Sequence, residues 1–209
     1  HVFCEKPLSI NIENCLKVEE EAKKHSNLIV MIGFNRRYSN HIKLIKNSLK
    51  KDTPKSITML INAGSLPDDH WHHDLKIGGG RIVHEGVHFI DLANHLIDSE
   101  VIRVYTNSFK NDKTNDKFTI NLSYEDGSIA TINYWANGNN KFPKENITIF
   151  DEGRIMECNN FKSTNIVSST KQSKKTGWSQ DKGHESLYKE FFLSILNSSK
   201  SPIDIKSQI

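Results

Sequence analysis

The chain has 209 residues, of which 36% are hydrophobic and 25% are charged, and its formal net charge is +3. These proportions are typical of a globular protein and exclude a disordered chain. No apolar run of about 18 residues or more occurs, so no membrane partner is expected. The positive charges are spread along the chain, so no nucleic-acid partner is expected either. Its three cysteines are odd in number and lack CxxC spacing, which favours free thiols in the cytoplasm.

The first fifty residues predict the order strand, helix, strand, helix. The opening stretch HVFCEKPL is a short apolar run that Pro7 ends, and a helix capped by Ser9 or Asn11 follows it. The run NLIVMIGF is continuously apolar, as in a buried strand of a parallel sheet, and SNHIKLIKNSLKK predicts a second helix. This order is the unit of a doubly wound sheet. Two strands cannot complete such a sheet, and no GxGxxG motif occurs, so residues 1–50 predict only part of an α/β domain.

From residue 51 onward the pattern changes. KSITMLINAG predicts a strand, residues 81–98 predict a helix, and several β-rich segments follow in quick succession. Apolar residues alternate with polar ones from Phe118 to Tyr124, the period of a half-buried strand. Gly127 and Gly153 are placed at hairpin turns, and an amphipathic helix closes the chain. The predicted fold class is α+β: an open, mostly antiparallel sheet with covering helices, preceded by a partial α/β unit.

Six of the ten histidines lie between residues 70 and 95. If the predicted helix is regular, His84, His88, Asp91 and His95 project from one of its faces. Three interpretations are open. The face could simply be solvated, it could bind a metal ion, or it could perform acid–base chemistry, to which histidine is suited near neutral pH.

Lys6 follows the first predicted strand and also has two interpretations. A lysine at the end of a strand is commonly an exposed cap. The carboxyl end of a parallel strand is also where open α/β sheets bind ligands, and a partly desolvated lysine there could polarise or protonate a substrate oxygen. The residue types alone leave both interpretations open.

The motifs CEKPL, MIGFNRRYSNHI and GGGRIVHEGVHFIDLANHL occur in the order and at the intervals of the glucose–fructose oxidoreductase, inositol dehydrogenase and MocA (Gfo/Idh/MocA) family. The chain resembles this family from residue 1 to about residue 197, and is most similar to members from bacterial surface-sugar gene clusters. The resemblance implies an oxidoreductase that uses NAD or NADP and acts on a sugar, a cyclitol or a nucleotide-linked sugar.

The resemblance also implies a division of the chain. Residues 1–50 would be the carboxyl-terminal remnant of a dinucleotide-binding Rossmann domain, and residues 51–209 would be the substrate-binding and oligomerisation domain. We therefore expect the chain to be a fragment without the GxGxxG turn, and to be inactive by itself.

Individual residues acquire roles from the same resemblance. Lys6 and His88 would be catalytic, together with His84, which replaces the aspartate that many sugar-oxidising members carry four residues before the histidine. The cofactor would contact Glu5, Lys6, Pro7 and Arg36. The substrate would contact Asn35, Tyr38, Trp71 and Asp91. Asp91 could instead orient His88 or hold the helix in place, and no metal is expected.

Two other functions are considered. The open sheet could make the chain a non-catalytic module for homo-oligomer assembly. One face of the strand would carry Ile129, Thr131, Asn133 and Trp135, which is too polar for a core and apolar enough for a partner. A metal-dependent enzyme would use His84 and His88 with His70 or His73.

Overall fold

A computed structural model describes residues 1–110, 112 and 114–208 of the chain. The helices are α1 (Ile12–Lys24), α2 (Asn40–Ser48), α3 (Val87–Ile97) and α4 (His184–Leu196). The strands are β1 (Val2–Cys4), β2 (Val30–Ile32), β3 (Ser56–Asn62), β4 (Val101–Ser108), β5 (Lys117–Tyr124), β6 (Ile129–Trp135), β7 (Glu145–Asp151), β8 (Arg154–Asn159), β9 (Ser163–Val167) and β10 (Gln172–Thr176). Short 3-10 turns span Asn35–Tyr38, Trp71–His73 and Ile205–Gln208, and a π-helical turn spans Ile82–Gly86.

Strands β3 to β10 form one open sheet of eight strands in the order β10-β9-β8-β7-β3-β6-β5-β4. The pairs are antiparallel except for β3 and β6, which run parallel. This confirms the predicted α+β class with its mostly antiparallel sheet. Gly127 and Gly153 have φ values of 86° and 82°, so both predicted hairpin turns use a conformation that favours glycine.

The predicted α/β unit is present as a parallel pair of short strands, β1 and β2, with α1 between them. The side chain of Asn11 caps α1 by accepting a hydrogen bond from the backbone N–H of Glu13. Strand β2 is shorter than the apolar run that predicted it. The backbone N–H of Phe34 bonds to the carbonyl of Ile32, which turns the chain into the 3-10 turn at residues 35–38.

The main core lies between one face of the sheet and helices α2 and α3. Ile42 and Ile45 of α2, and Phe89 and Leu92 of α3, are buried there against the sheet. A smaller core joins residues 29–38 to α4. Helix α2 thus packs with the main core although it precedes residue 50. The division of the chain at residues 50 and 51 stays a prediction, and packing continues across it.

The predicted helix over residues 81–98 is not regular. The backbone N–H of Val87 reaches the carbonyl of Ile82, and this wide turn precedes α3. The histidine spacing therefore starts in a π-helical turn, a feature that often occurs at functional sites. In the described ranges, no helix is both long and apolar enough to cross a lipid bilayer.

Candidate active site

A cavity of about 330 Å³ opens where the end of β1, the 3-10 turn at residues 35–38 and the π-helical turn meet. Its lining residues are Lys6, Arg36, Ala63, Leu66, His72, Arg81, His84, Glu85, His88 and Lys144. The structure therefore places all three predicted catalytic residues around one space. A larger cavity of about 700 Å³ lies beside the loop that joins α2 to β3, and none of the predicted site residues lines it.

Lys6 lies just beyond β1 and is half-buried, and the peptide bond between Lys6 and Pro7 is cis. Its ammonium donates a hydrogen bond to the backbone carbonyl of His84 in the π-helical turn. Burial lowers the pKa of Lys6 below its ordinary value, although the negative charge of Glu85 opposes this shift. Lys6 is thus an anchored donor pointing to the cavity region, and not the exposed cap of the ordinary interpretation.

His84 belongs to a cluster of rings at the mouth of the cavity. Its ring centroid lies 3.7 Å from that of His72 and 4.9 Å from the edge-on ring of Trp71, which is 49% exposed. Burial and the charge of Lys6 lower the pKa of His84. Burial, with the neighbouring His84, lowers the pKa of His72 to about 4. Both imidazoles are therefore neutral near pH 7, which permits their close approach.

His88 is buried, and its ring meets that of Phe34 edge-on at 6.1 Å. Burial lowers the pKa of His88 strongly, and the positive charges of Arg36 and Lys6 lower it further. Its Nδ1 is buried and has no hydrogen-bond partner among the described residues. A neutral imidazole can accept a hydrogen bond from a ligand hydroxyl, while the lowered pKa makes His88 a weak base in this structure.

Asp91 lies one turn beyond His88, and its carboxylate faces Arg37. Arg37 Nε lies 2.8 Å from Oδ2 of Asp91, and Arg37 Nη2 lies 2.5 Å from Oδ1. In the part of the chain that the structure describes, the hydrogen bonds of Asp91 go to Arg37 and not to His88. This geometry is that of a residue that holds α3 against the 3-10 turn.

The turn at residues 35–38 contributes one residue to the cavity. Arg36 lines it, while its guanidinium donates from Nε and Nη2 to Glu145 at 2.8 and 2.9 Å. Asn35 instead donates to the backbone carbonyl of Lys182 at 2.8 Å. Tyr38 packs in the smaller core and lines a separate cavity with Arg37. Neither Asn35 nor Tyr38 is among the described lining residues of the candidate site.

Three more predicted residues lie around the cavity without lining it in the described structure. Glu5 is exposed, and the hydroxyl of Tyr188 donates to its carboxylate at 3.4 Å. Pro7 continues the turn after Lys6, and Trp71 borders the mouth through His84.

Sequence reasoning missed a charged network on the other side of the cavity. Lys144 Nζ lies 2.7 Å from Oε1 of Glu85, and Arg81 Nη2 lies 3.0 Å from Oε2. The Tyr134 hydroxyl donates to the same carboxylate and accepts from Arg81 Nε at 2.6 Å. Burial would raise the pKa of Glu85, but Lys144, Tyr134 and Arg81 together lower it to about 2. The i, i+4 spacing of Arg81 and Glu85 was a local signal for their pairing, whereas Lys144 and Tyr134 are remote in sequence.

Buried polar atoms without a partner concentrate at this cavity. The described residues contain six such side-chain atoms, and three of them, His72 Nδ1, Arg81 Nη1 and His88 Nδ1, belong to lining residues. Buried polar groups are nearly always hydrogen-bonded in native proteins. Three of the lining residues therefore each keep one buried polar atom that no described residue pairs.

The metal-site interpretation finds no support in the arrangement of side chains. Over the described ranges, no group of three or more histidine, cysteine, aspartate or glutamate residues is placed to hold a metal ion. His72, which the metal interpretation did not use, is the histidine whose ring lies against that of His84, at an angle of 39°.

Comparisons with known proteins agree with this fold. The family model described as "GFO/IDH/MocA C-terminal domain" matches residues 52–156, half of the chain. The myo-inositol 2-dehydrogenase of Thermotoga maritima is 26% identical over 200 residues, which cover 92% of the chain and 57% of that protein. The chain thus spans just over half the length of this relative.

Solved structures share the architecture at low sequence identity. The dehydrogenase MviM from Clostridium difficile superimposes with a TM-score of 0.80 at 23% identity, over the whole chain and 67% of that protein. The UDP-N-acetylglucosamine 3-dehydrogenase GnnA from Acidithiobacillus ferrooxidans gives a TM-score of 0.82 at 16% identity, over the whole chain and 66% of that protein. At these identities the likeness shows the fold alone. The family match confirms the resemblance carried by the three motifs: the chain belongs to the Gfo/Idh/MocA family.

Proposed function

We propose that the protein is an NAD(P)-dependent oxidoreductase that acts on a hydroxyl or carbonyl group of a sugar, a cyclitol or a nucleotide-linked sugar. Family membership and the dehydrogenase names of its relatives support this proposal. The observation that carries it is the meeting of Lys6 and His88 at one cavity whose lining residues include three unpartnered buried polar atoms. A polyhydroxylated ligand would form hydrogen bonds with the polar and charged side chains that line this cavity.

The residues at one edge of the cavity fit the nicotinamide end of a dinucleotide. Lys6 follows the parallel strand β1, at the kind of sheet edge where open α/β folds bind ligands. Glu5, Lys6 and Pro7 would border the nicotinamide, and Arg36 would lie behind it. When bound, NAD or NADP would supply the acceptor or donor of a hydride.

Residues of the chain itself would accept and return the proton of the reacting hydroxyl. Oxidation of a hydroxyl requires loss of its proton as the hydride leaves, so a base must lie within hydrogen-bond reach. His88 would accept a hydrogen bond from that hydroxyl at a ring nitrogen and would take its proton as the hydride leaves, against the low pKa that burial and the neighbouring cations impose. The Lys6 ammonium, held by the carbonyl of His84, would donate a hydrogen bond to the reacting oxygen. In the reverse direction the same groups would return the proton to a carbonyl oxygen.

The first test is an NADH fluorescence titration of the complete gene product, followed by NAD(P)-linked turnover of a panel of sugars and cyclitols. Lys6→Met and His88→Asn should each lower kcat by about 100-fold or more, since positioned acid–base groups contribute that much. Lys17→Met, on the exposed side of α1, removes the same charge from a residue that does not line the cavity and should leave kcat unchanged. Absence of NADH binding, or full activity in Lys6→Met, would refute the proposal.

A role in assembly is favoured by a second observation. Ile129, Ser56, Phe150 and Ile155 form one row across four neighbouring strands on the open face of the sheet. Ile129 and Phe150 are each about half exposed, which is unusual for a face without a partner. We infer that a second copy of the chain covers this row in a homo-oligomer.

Light scattering during size-exclusion chromatography tests the assembly. Phe150→Lys should shift the mass toward the monomer, while Phe142→Lys, on an exposed loop beside the sheet, should not. A monomeric parent protein would contradict the proposal. The free thiols of Cys4, Cys15 and Cys158 support the further proposal that the protein works in a reducing cytoplasm.

A further inference from the structure

The wall of the cavity formed by the π-helical turn and Lys144 has more positive than negative charge. Arg81 and Lys144 both pair with Glu85, at 3.0 and 2.7 Å. Tyr134 donates to that carboxylate as well. One carboxylate therefore compensates two cations, and the wall keeps a net positive charge.

The opposite side of the cavity has the same imbalance. Arg36 pairs with Glu145, and Lys182 lies 2.6 Å from the same carboxylate. Lys6 adds a third cation, whose hydrogen bond goes to a neutral carbonyl. The exposed carboxylate of Glu5 offsets part of this charge from outside the lining. Since the histidines here are neutral, the cavity as a whole is electropositive.

Arg81 has an unused donor in this wall. Its side chain is 3% exposed, Nε donates to the hydroxyl of Tyr134 and Nη2 pairs with Glu85. Nη1 is buried without a hydrogen-bond partner among the residues that the structure describes. Leaving a buried charged donor unpaired is unfavourable, so the guanidinium of this lining residue keeps a positive charge that its described partners satisfy only in part. Guanidinium and ammonium groups together recognise carboxylates and phosphates.

We propose that the ligand of this cavity carries an anionic substituent, a carboxylate or a phosphate, which binds at the wall formed by Arg81 and Lys144 while the reacting hydroxyl lies at Lys6 and His88. The second half of this assignment rests on the proposed dehydrogenase function. A volume of about 330 Å³ is at the small end for ligand sites and suits a single sugar or cyclitol ring. The substrate class is therefore an acidic monosaccharide or cyclitol, such as a uronate or a sugar phosphate, in contrast to neutral inositol.

Isothermal titration calorimetry of the complete gene product tests the proposal with three probes: glucose, glucuronate and glucose phosphate. The better of the two acidic probes should bind at least about tenfold more tightly than glucose, because a hydrogen bond to a charged group adds about that factor. The difference in affinity between this acidic probe and glucose should decrease as the salt concentration rises, because salt screens charges. The comparison between glucuronate and glucose phosphate decides which anion the wall prefers.

Lys144→Met is the informative variant, because this side chain is 41% exposed and its removal leaves the buried Arg81 contacts in place. It should weaken binding of the preferred acidic probe by about tenfold. Lys141→Met is the matched control, since Lys141 is exposed on the same segment and does not line the cavity. The affinities of Lys141→Met for the three probes should stay within about twofold of those of the parent protein.

Equal affinity for glucose and both acidic probes, or equal effects of the two lysine variants, would overturn the anionic subsite. Failure of all three probes to bind would overturn it too. The turnover panel of sugars and cyclitols decides separately on the dehydrogenase function, because neutral substrates could be oxidised without an anionic subsite.

Discussion

Replacing Glu145 by glutamine preserves the shape of a fully buried side chain in β7 and removes a charge that two cations share. Arg36 contacts this carboxylate through Nε at 2.8 Å and Nη2 at 2.9 Å, and Lys182 Nζ lies at 2.6 Å. The variant therefore leaves both cations without their buried counter-charge, beside the cavity that holds Lys6 and His88.

The expected loss of stability follows from the burial of Glu145 and Arg36. Removing one partner of a buried ion pair costs about 3–5 kcal/mol, because the remaining charge stays desolvated and uncompensated. The side chain of Arg36 is 6% exposed and cannot regain water without unfolding, whereas that of Lys182 is 19% exposed and can turn toward solvent. We therefore expect Glu145→Gln to lower the free energy of unfolding by about 3–4 kcal/mol at neutral pH. That is a large part of the stability of an ordinary domain.

Urea denaturation followed by circular dichroism measures this loss. Glu157→Gln is the matched control on the neighbouring strand β8, where the carboxylate is exposed, and it should change stability little. A loss of less than about 1 kcal/mol in the free energy of unfolding for Glu145→Gln would refute the reasoning, since breaking a buried ion pair costs more than this.

The dependence on pH provides an independent check. Burial would raise the pKa of Glu145, but the charges of Arg36 and Lys182 lower it below the ordinary 4.5. The unfolded state therefore binds the proton first as the solution is acidified. The stabilisation is present above about pH 4.5 and is lost as pH falls through the folded pKa. The difference in stability between the parent protein and Glu145→Gln should consequently narrow in acid.

Three further predictions concern single residues outside the cavity. Burial lowers the pKa of His95 to about 4, so the free energy of unfolding should fall by up to about 3 kcal/mol between pH 6.5 and pH 4. A His95→Gln variant should lose this part of the pH dependence, and a variant whose pH profile equals that of the parent protein would contradict the prediction. Burial raises the pKa of the Cys158 thiol to about 12, so thiol reagents should label it only in denaturant, as peptide mass spectrometry would show. Gly183→Ala places a Cβ 2.4 Å from backbone atoms of the turn ahead of α2, while Gly153→Ala, at a similar φ, meets open space. Thermal unfolding should therefore show a greater loss for Gly183→Ala, by about 2 kcal/mol, and equal losses would argue against the close approach.

Local patterns in the sequence predicted much of the fold. The alternation from Phe118 to Tyr124 matches a strand whose four apolar side chains are all buried. Asn11 caps α1, and glycines occupy both predicted hairpin turns. These signals succeed because periodicity, capping and turn conformation depend on residues only a few positions apart.

The candidate site was predictable only in part, for the opposite reason. Its lining residues come from segments far apart in the chain: Lys6 bonds to a carbonyl 78 residues away, and Arg36 pairs with Glu145 across 109 residues. Residue type and family resemblance selected Lys6, His84 and His88, and the structure places them together. Neither the residue type nor the family resemblance could show that the carboxylate of Asp91 faces Arg37.

By itself, the sequence determined the α+β class, the family and most of the elements in their order, because each follows from local periodicity or from motifs in register. It did not predict β9 and β10, whose segments STNIV and QSKKT lack an alternation of apolar and polar residues. Only the tertiary structure decided which charges share the cavity and which donors in it lack a partner. The parallel pairing of β3 with β6, the wide turn before α3 and the network of Arg81, Glu85 and Lys144 are the result of long-range packing. Such long-range contacts depend on which distant segments the sheet brings together, and local sequence patterns do not indicate these pairings.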